Sequence, residues 1–182
     1  MPHQFTTSYL ADSISLLQQY KGLADRAIAQ VTDEQLTQAL GAEENSIALI
    51  VKHLAGNMRS RWTDFLTTDG EKPDRNRDSE FEAPPAARAE LLALWERGWE
   101  CVFATLYGLT TADLSRSVSI RREPHSVMQA INRLIAHNAL HIGQIVFLAK
   151  HLKGREWQTL SVPRGRSADF NQKVANGGAS QR

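Results

Sequence analysis

The strongest constraint on this chain is the apolar period of residues 126–154. Val127, Ile131, Leu134, His141, Ile145, Leu148 and Leu152 follow a heptad seam, interrupted by Asn138. Ser126-Val-Met-Gln129 opens the segment as a capping box, and Gly154 closes it. A long amphipathic helix of this kind must bury its stripe against other elements. Three more stripes are available. Leu10, Ile14, Leu17, Ala24, Ile28 and Val31 mark a first helix. Ile47, Val51, Leu54, Met58, Trp62 and Phe65 mark a second, with Ser46 as its N-cap. Leu92, Trp95, Trp99, Val102, Leu106 and Leu109 mark a third, started by Pro84-Pro85.

These stripes predict an all-α, four-helix-bundle fold with short extra helices. Thr32-Asp33-Glu34-Gln35 is a capping box for a short helix to about Leu40, ended by Gly41, and Thr110 or Thr111 caps a short turn. Ser117 to Arg121 alternates like a strand but has no evident partner, so it reads as an extended connector. Residues 66–84, broken by Gly70, Pro73 and Pro84, read as a long loop. Structureless loops beyond ~12–15 residues tend to be functional or mobile, and a solvated connector is the plain alternative. The expected organisation is one domain over 1–182, with a core at about 8–155 and a mostly irregular tail at 156–182. Its Gly177-Gly178 end is expected to fray.

Composition excludes several functions. Lys+Arg 21 against Asp+Glu 20 leaves a net charge of +1, which gives no basic stripe for nucleic acid. No apolar run approaches the ~20 residues that cross a bilayer, and no secretory signal is visible at the N-terminus. The single cysteine, Cys101, sits among Trp99, Val102 and Phe103 as a small core residue, and a reducing cytoplasmic setting is expected. Four Trp and six Phe exceed what one bundle seam needs, which suggests a homodimer.

Among the six histidines, His137 and His141 stand four apart, on one helix face with a rise of ~6 Å. Two imidazoles so placed can share one metal. His125 and His151 lie ~18 Å and ~15 Å along the helix from the nearer member of the pair, and His3 sits near the terminus, so elimination leaves His53 as third ligand. An i,i+4 His pair is also common without a metal, with its members simply hydrogen-bonded in a core. Asn138 follows the first ligand where a zinc protease has its Glu base, which makes peptide hydrolysis a poor fit. Asn57 and Gln144, each one turn beyond a ligand, are candidate partners for orienting the rings. Three neutral His ligands leave at least one open position on Zn, Ni, Fe or Mn. Arg75, Arg77, Arg164 and Arg166 are candidates to clamp a cosubstrate carboxylate. Glu96 and Glu100, beside the aromatic stripe of the third helix, are candidate general bases for a hydrolase.

The stretch His137-Asn-Ala-Leu-His141-Ile-Gly143-Gln144 resembles the H-x-x-x-H-x-G-Q signature of the DinB-like (YfiT-like) metalloenzyme superfamily, and Ser46-Ile-Ala-Leu-Ile-Val-Lys-His53-Leu-Ala-Gly-Asn57 resembles the helix that carries its third ligand. The similarity runs over about residues 8–172 and is strongest to an uncharacterised bacterial subfamily, through Thr67-Thr-Asp-Gly-Glu-Lys-Pro73, Arg75-Asn-Arg-Asp78, Leu160-Ser-Val-Pro163 and Phe170-Asn171. Asp74 departs from it, standing where an aromatic residue is expected. The resemblance implies a four-helix bundle with a mononuclear triple-histidine site. Its better-known branches use low-molecular-weight thiols, as bacillithiol or mycothiol S-transferases and a mycothiol-dependent maleylpyruvate isomerase. The expected activity is therefore a thiol S-transferase acting on a small-molecule substrate, with a metal-dependent hydrolase or a non-catalytic stress-response binding protein as alternatives.

Overall fold

Side-chain caps set where three of the helices begin. The Ser46 hydroxyl accepts from the Leu49 amide, Thr32 from Gln35 and Ser126 from Gln129, each removing an orphan donor at a helix start. The computed structural model describes residues 5–85 and 87–180. Among them are six α-helices: α1 (Phe5–Ile28), α2 (Asp33–Thr37), α3 (Ile47–Trp62), α4 (Arg88–Gly108), α5 (Val127–Lys153) and α6 (Ser167–Ala175). Short 3-10 turns stand at Asp78–Phe81, Thr111–Ser115 and Gly154–Glu156. The fold is mostly helical. No helix among the described residues is long and apolar enough to cross a membrane. His3 lies outside the described residues, as do the last two positions of the expected frayed end.

The packing follows the apolar stripes. α3 lies against α4 and α5, and α1 lies against α5 and α4. Leu17, Ala24, Leu54, Met58, Trp95, Trp99, Val102, Ile131 and Ile145 are buried at the centre. α3 and α4 approach closely at Gly98, where a Cβ would stand 3.0 Å from the Ala55 Cα and 3.0 Å from the Met58 Cε. Trp95 satisfies its indole by donating to Asp25 at 2.7 Å.

Several boundaries differ from the sequence expectation. α4 begins at Arg88 rather than at Pro84-Pro85: Pro85 disfavours helical backbone at Pro84, and Ala87 is still extended. α3 ends at Trp62, so Phe65 keeps its buried place from a turn, stacked on Trp62 at 4.4 Å. The short second helix stops at Thr37, before Leu40. The seam of α5 runs through Asn138 and Ile142, both fully buried, and His137 and His141 flank it half-buried. The tail contains the nine-residue helix α6, so it is less irregular than its composition suggests.

The segment at 117–120 is a true strand, and Arg121 belongs to the turn that follows it. β1 (Ser117–Ile120) pairs antiparallel with β2 (Glu123–Ser126), Ile120 facing Glu123. The two-residue turn is Arg121-Arg122, and both adopt positive φ, at 56° and 66°. That geometry usually calls for Asn or Gly. Here Asp69 compensates: its carboxylate accepts from the Arg121 amide at 2.9 Å and the Arg122 amide at 2.7 Å. The hairpin is thus held by the loop of residues 66–84, and the same loop reaches the histidines.

Candidate metal centre

α3 carries His53, and α5 carries His137 and His141. The two helices bring one ligand atom from each ring to within 4.8 Å of the others. The Nε2 atoms of His53 and His137 are 3.2 Å apart. Two donors on one tetrahedral zinc at ~2.0–2.1 Å each stand about 3.3 Å apart, so this pair already has the right spacing. The ring centroids of His53 lie 5.2 Å and 5.0 Å from those of His137 and His141, and those two are 4.7 Å apart.

The protonation pattern suits a metal. Burial, followed by the neighbouring His141 and His53, pushes the His137 imidazole down to about 3, so it stays neutral. Burial also lowers His141, opposed in part by its hydrogen bond to Gln144. A neutral imidazole offers one lone pair. In His53, Nδ1–H donates to Glu80 Oε2 at 2.9 Å, which leaves Nε2 bare and facing His137. In His141, Nδ1–H donates to Gln144 Oε1 at 2.7 Å. Three imidazole nitrogens, with two of the rings oriented from behind, form a donor set that fits a divalent ion. Gln144 therefore stands where sequence spacing places it. Asn57 does not orient His53; among the described residues no hydrogen bond joins it to a ligand histidine.

The residue that orients His53 is Glu80, which sequence reasoning missed. Its carboxylate is buried, 5% exposed, and lies under α3. Arg75 clamps it at both oxygens, Nε to Oε1 at 2.8 Å and a terminal nitrogen to Oε2 at 2.9 Å. Burial pushes the Glu80 carboxyl up, but donation from His53 and Arg75 outweighs it and holds the group below the usual carboxylate range. Arg75 also reaches Glu71, 3.4 Å away, and Glu71 accepts from Arg61 at 2.8 Å and Arg121 at 2.9 Å. A chain of alternating charges thus runs from His53 to the hairpin turn.

Gly56 makes room for this arrangement. It stands three residues after His53 on the same face of α3. A Cβ there would lie 2.5 Å from Glu80 Oε1 and 2.8 Å from Glu80 Cδ. Lys52, one position before His53, donates to the carbonyls of Ser79 and Ala83 and fastens the 3-10 turn to α3. Phe81 then covers the His53 ring, centroids 4.6 Å apart. The one sequence cue was Gly56 itself, since a glycine inside a helix costs about 1 kcal/mol and calls for a reason.

Other expected site residues lie elsewhere. Arg75 is consumed by Glu80, its side chain only 3% exposed, so it does not clamp a cosubstrate. Arg77 stacks over Phe81 at 5.0 Å, and Arg166 pairs with Asp169 in the tail. Arg164 is exposed in that same tail. Glu96 points to solvent and pairs with Lys21, and Glu100 is exposed; neither contacts the histidines. Asp74 pairs with Arg59 at the surface, 69% exposed, so the departure at this position does not line the histidine cluster.

A cavity of about 30 Å³ opens beside His137, walled by Trp62, Phe65 and Leu134 and edged by Asn57, Arg61 and Arg133.

No curated protein and no solved structure matches the chain. One family does match, described as Protein of unknown function (DUF1572), over residues 4–166. That span takes in His53, Gly56, Arg75, Glu80, His137, His141 and Gln144, and the chain belongs to the DUF1572 family.

Proposed function

We propose that this protein is a metal-dependent enzyme on a four-helix bundle of the DinB-like (YfiT-like) type, transferring a low-molecular-weight thiol to a small electrophilic substrate. The observation that carries the reading is the convergence of His53, His137 and His141, with His53 oriented by a buried carboxylate. Catalytic sites of three protein ligands keep an open position, whereas structural sites are closed. The ion would be Zn, Ni, Fe or Mn, since imidazole accepts all four.

When bound, a divalent ion supplies the Lewis acidity that lowers the pKa of a thiol or a water. The chain's own residues do the rest. Glu80 holds the His53 proton on Nδ1 and fixes the ring plane. Arg75 keeps Glu80 ionised and in place. Gln144 holds the His141 proton on Nδ1. Phe81 shields the His53 ring from water.

Thiol transfer is favoured over hydrolysis by the state of Glu80. A hydrolase gains from a carboxylate that can accept a proton from water. Glu80 already accepts from His53 and from Arg75 at both oxygens, and these donors hold its carboxyl below the usual range, which makes it a weak base. A thiol needs less help, because it ionises far more readily than water.

The test is a panel of thiols (cysteine, bacillithiol, mycothiol, glutathione) with 1-chloro-2,4-dinitrobenzene, reading thioether absorbance on metal-loaded protein. The expected result is turnover with at least one thiol, abolished in His53→Ala. Full metal occupancy with turnover only on esters would move the protein to the hydrolases. Full occupancy with no turnover on either panel would make it a binding protein.

A further inference from the structure

The helical spacing around the histidines places a second pair of side chains together. Asn57 is one turn after His53 on α3, and Arg133 is one turn before His137 on α5. Both line the cavity beside His137, which requires that α3 and α5 run antiparallel there. Below them, Arg61 completes the polar edge.

The charge at this cavity is one-sided. Two guanidinium groups and one amide border it, and no carboxylate is among its lining residues. Arg61 is engaged through one terminal nitrogen, which donates to the Gly70 carbonyl at 2.6 Å and pairs with Glu71 at 2.8 Å. Arg133 is different. It is exposed at the cavity edge and forms no hydrogen bond or ion pair among the described residues. Asn57 is half-buried and likewise makes no hydrogen bond there. Apart from the His137 imidazole, the remaining wall, including Trp62 and Phe65, is apolar. A planar fork of donors beside an amide, at the edge of an apolar hollow, suits a carboxylate. The hollow of about 30 Å³ has room for roughly two waters, so only a small polar group enters it.

We infer that Arg133 and Asn57 form a subsite for a substrate carboxylate next to His137, so that the substrate is a small carboxylic acid or carries one. The inference rests on the proposed enzyme reading and deepens it. Arg133 binds the carboxylate from the solvent side, and Asn57 donates its amide from α3. His137, which lines the same hollow, then stands beside the bound carboxylate. Arg75, Arg77, Arg164 and Arg166 are the sequence's candidates for a carboxylate clamp; Arg133 lies on the ligand-bearing helix itself.

The test is titration with acetate and, as a neutral isostere, acetamide, at constant ionic strength, followed by amide shifts in NMR spectra. Parent, Arg133→Ala, Arg133→Lys and Asn57→Ala proteins are compared, each metal-loaded and metal-stripped, with metal content measured on the same samples. The expected result is acetate binding that weakens about tenfold or more in Arg133→Ala, is partly kept in Arg133→Lys and is absent for acetamide. Metal content should be unchanged in Arg133→Ala. Acetate affinity that is equal in the parent and Arg133→Ala, at equal metal content, would overturn the subsite and leave the metal site standing. Absence of metal from the parent would instead strike the enzyme reading, and the metal-stripped titrations would still report the Arg133 dependence.

Discussion

Replacing Gly56 by alanine sets two physical effects against each other, and the structure decides which wins. Alanine inside a helix is favoured over glycine by about 0.5–1 kcal/mol. At Gly56 the added Cβ would meet Glu80 Oε1 at 2.5 Å and Cδ at 2.8 Å. The end of a surface glutamate would swing away at little cost. Glu80 cannot, because Arg75 grips both its oxygens and His53 donates to one of them. Moving the carboxylate weakens charge-assisted hydrogen bonds worth about 1.5–3 kcal/mol each and leaves buried donors underpaired. Loss of more than one such bond outweighs the helix gain, so Gly56→Ala should destabilise the metal-free protein by about 2–4 kcal/mol, or roughly 5–15 °C in Tm. It should also weaken metal binding about 10–100-fold, the usual effect of losing a carboxylate behind a ligand histidine. Gly143→Ala on α5 is the control: a Cβ there meets nothing within 4 Å, so the same exchange should be neutral or stabilising by up to about 1 kcal/mol. Urea denaturation gives the stabilities, and competition with a chromophoric chelator gives the metal affinity. A Gly56→Ala protein as stable as Gly143→Ala, with the parent's metal affinity, would refute the role given to Glu80.

Three further outcomes follow. Glu80→Gln keeps the side-chain shape but loses the charge that holds Arg75 and the His53 proton, so metal affinity should fall about 10–100-fold with the helical circular-dichroism signal unchanged; parental affinity would contradict the orienting role. His137 has a folded pKa of about 3, below its unfolded value, so its contribution to stability is present above pH ~6.5 and is lost as pH falls through that window toward 3. The urea midpoint of the metal-free parent should therefore drop between pH 7 and pH 4 more steeply than that of His137→Phe; parallel curves would contradict this. Leu140 and Phe147, 63% and 65% exposed on the outer face of α5, are the apolar surface on which a homodimer would form. Light scattering should give a dimer mass in the parent and a monomer mass in the Leu140→Ser, Phe147→Ser double variant; a monomeric parent would rule the dimer out.

What could be read in the chain was what is local. The helices, their Ser and Thr caps and the His137–His141–Gln144 face all follow from spacings of three and four residues. His53 was reachable because the other histidines were too far along the sequence to join the pair. Glu80 was not reachable, since its contact with His53 spans 27 residues and closes only when the 3-10 turn docks on α3. The hairpin was hidden for a similar reason: its turn is Arg-Arg, and the acceptor that tolerates this, Asp69, lies 52 residues earlier. Arg133 carried no signal in the sequence, because an exposed arginine on a helix reads as a solvated charge until the cavity beside it is known.

The function proposed for this protein depends on the three histidines holding one metal ion. The most direct measurement is metal per chain by mass spectrometry on tag-free protein, beside His53→Ala, His137→Ala and His141→Ala variants. About one equivalent is expected in the parent, lost in all three variants. A parent that holds no metal after reconstitution with Zn, Ni, Fe and Mn, or variants that keep theirs, would contradict that.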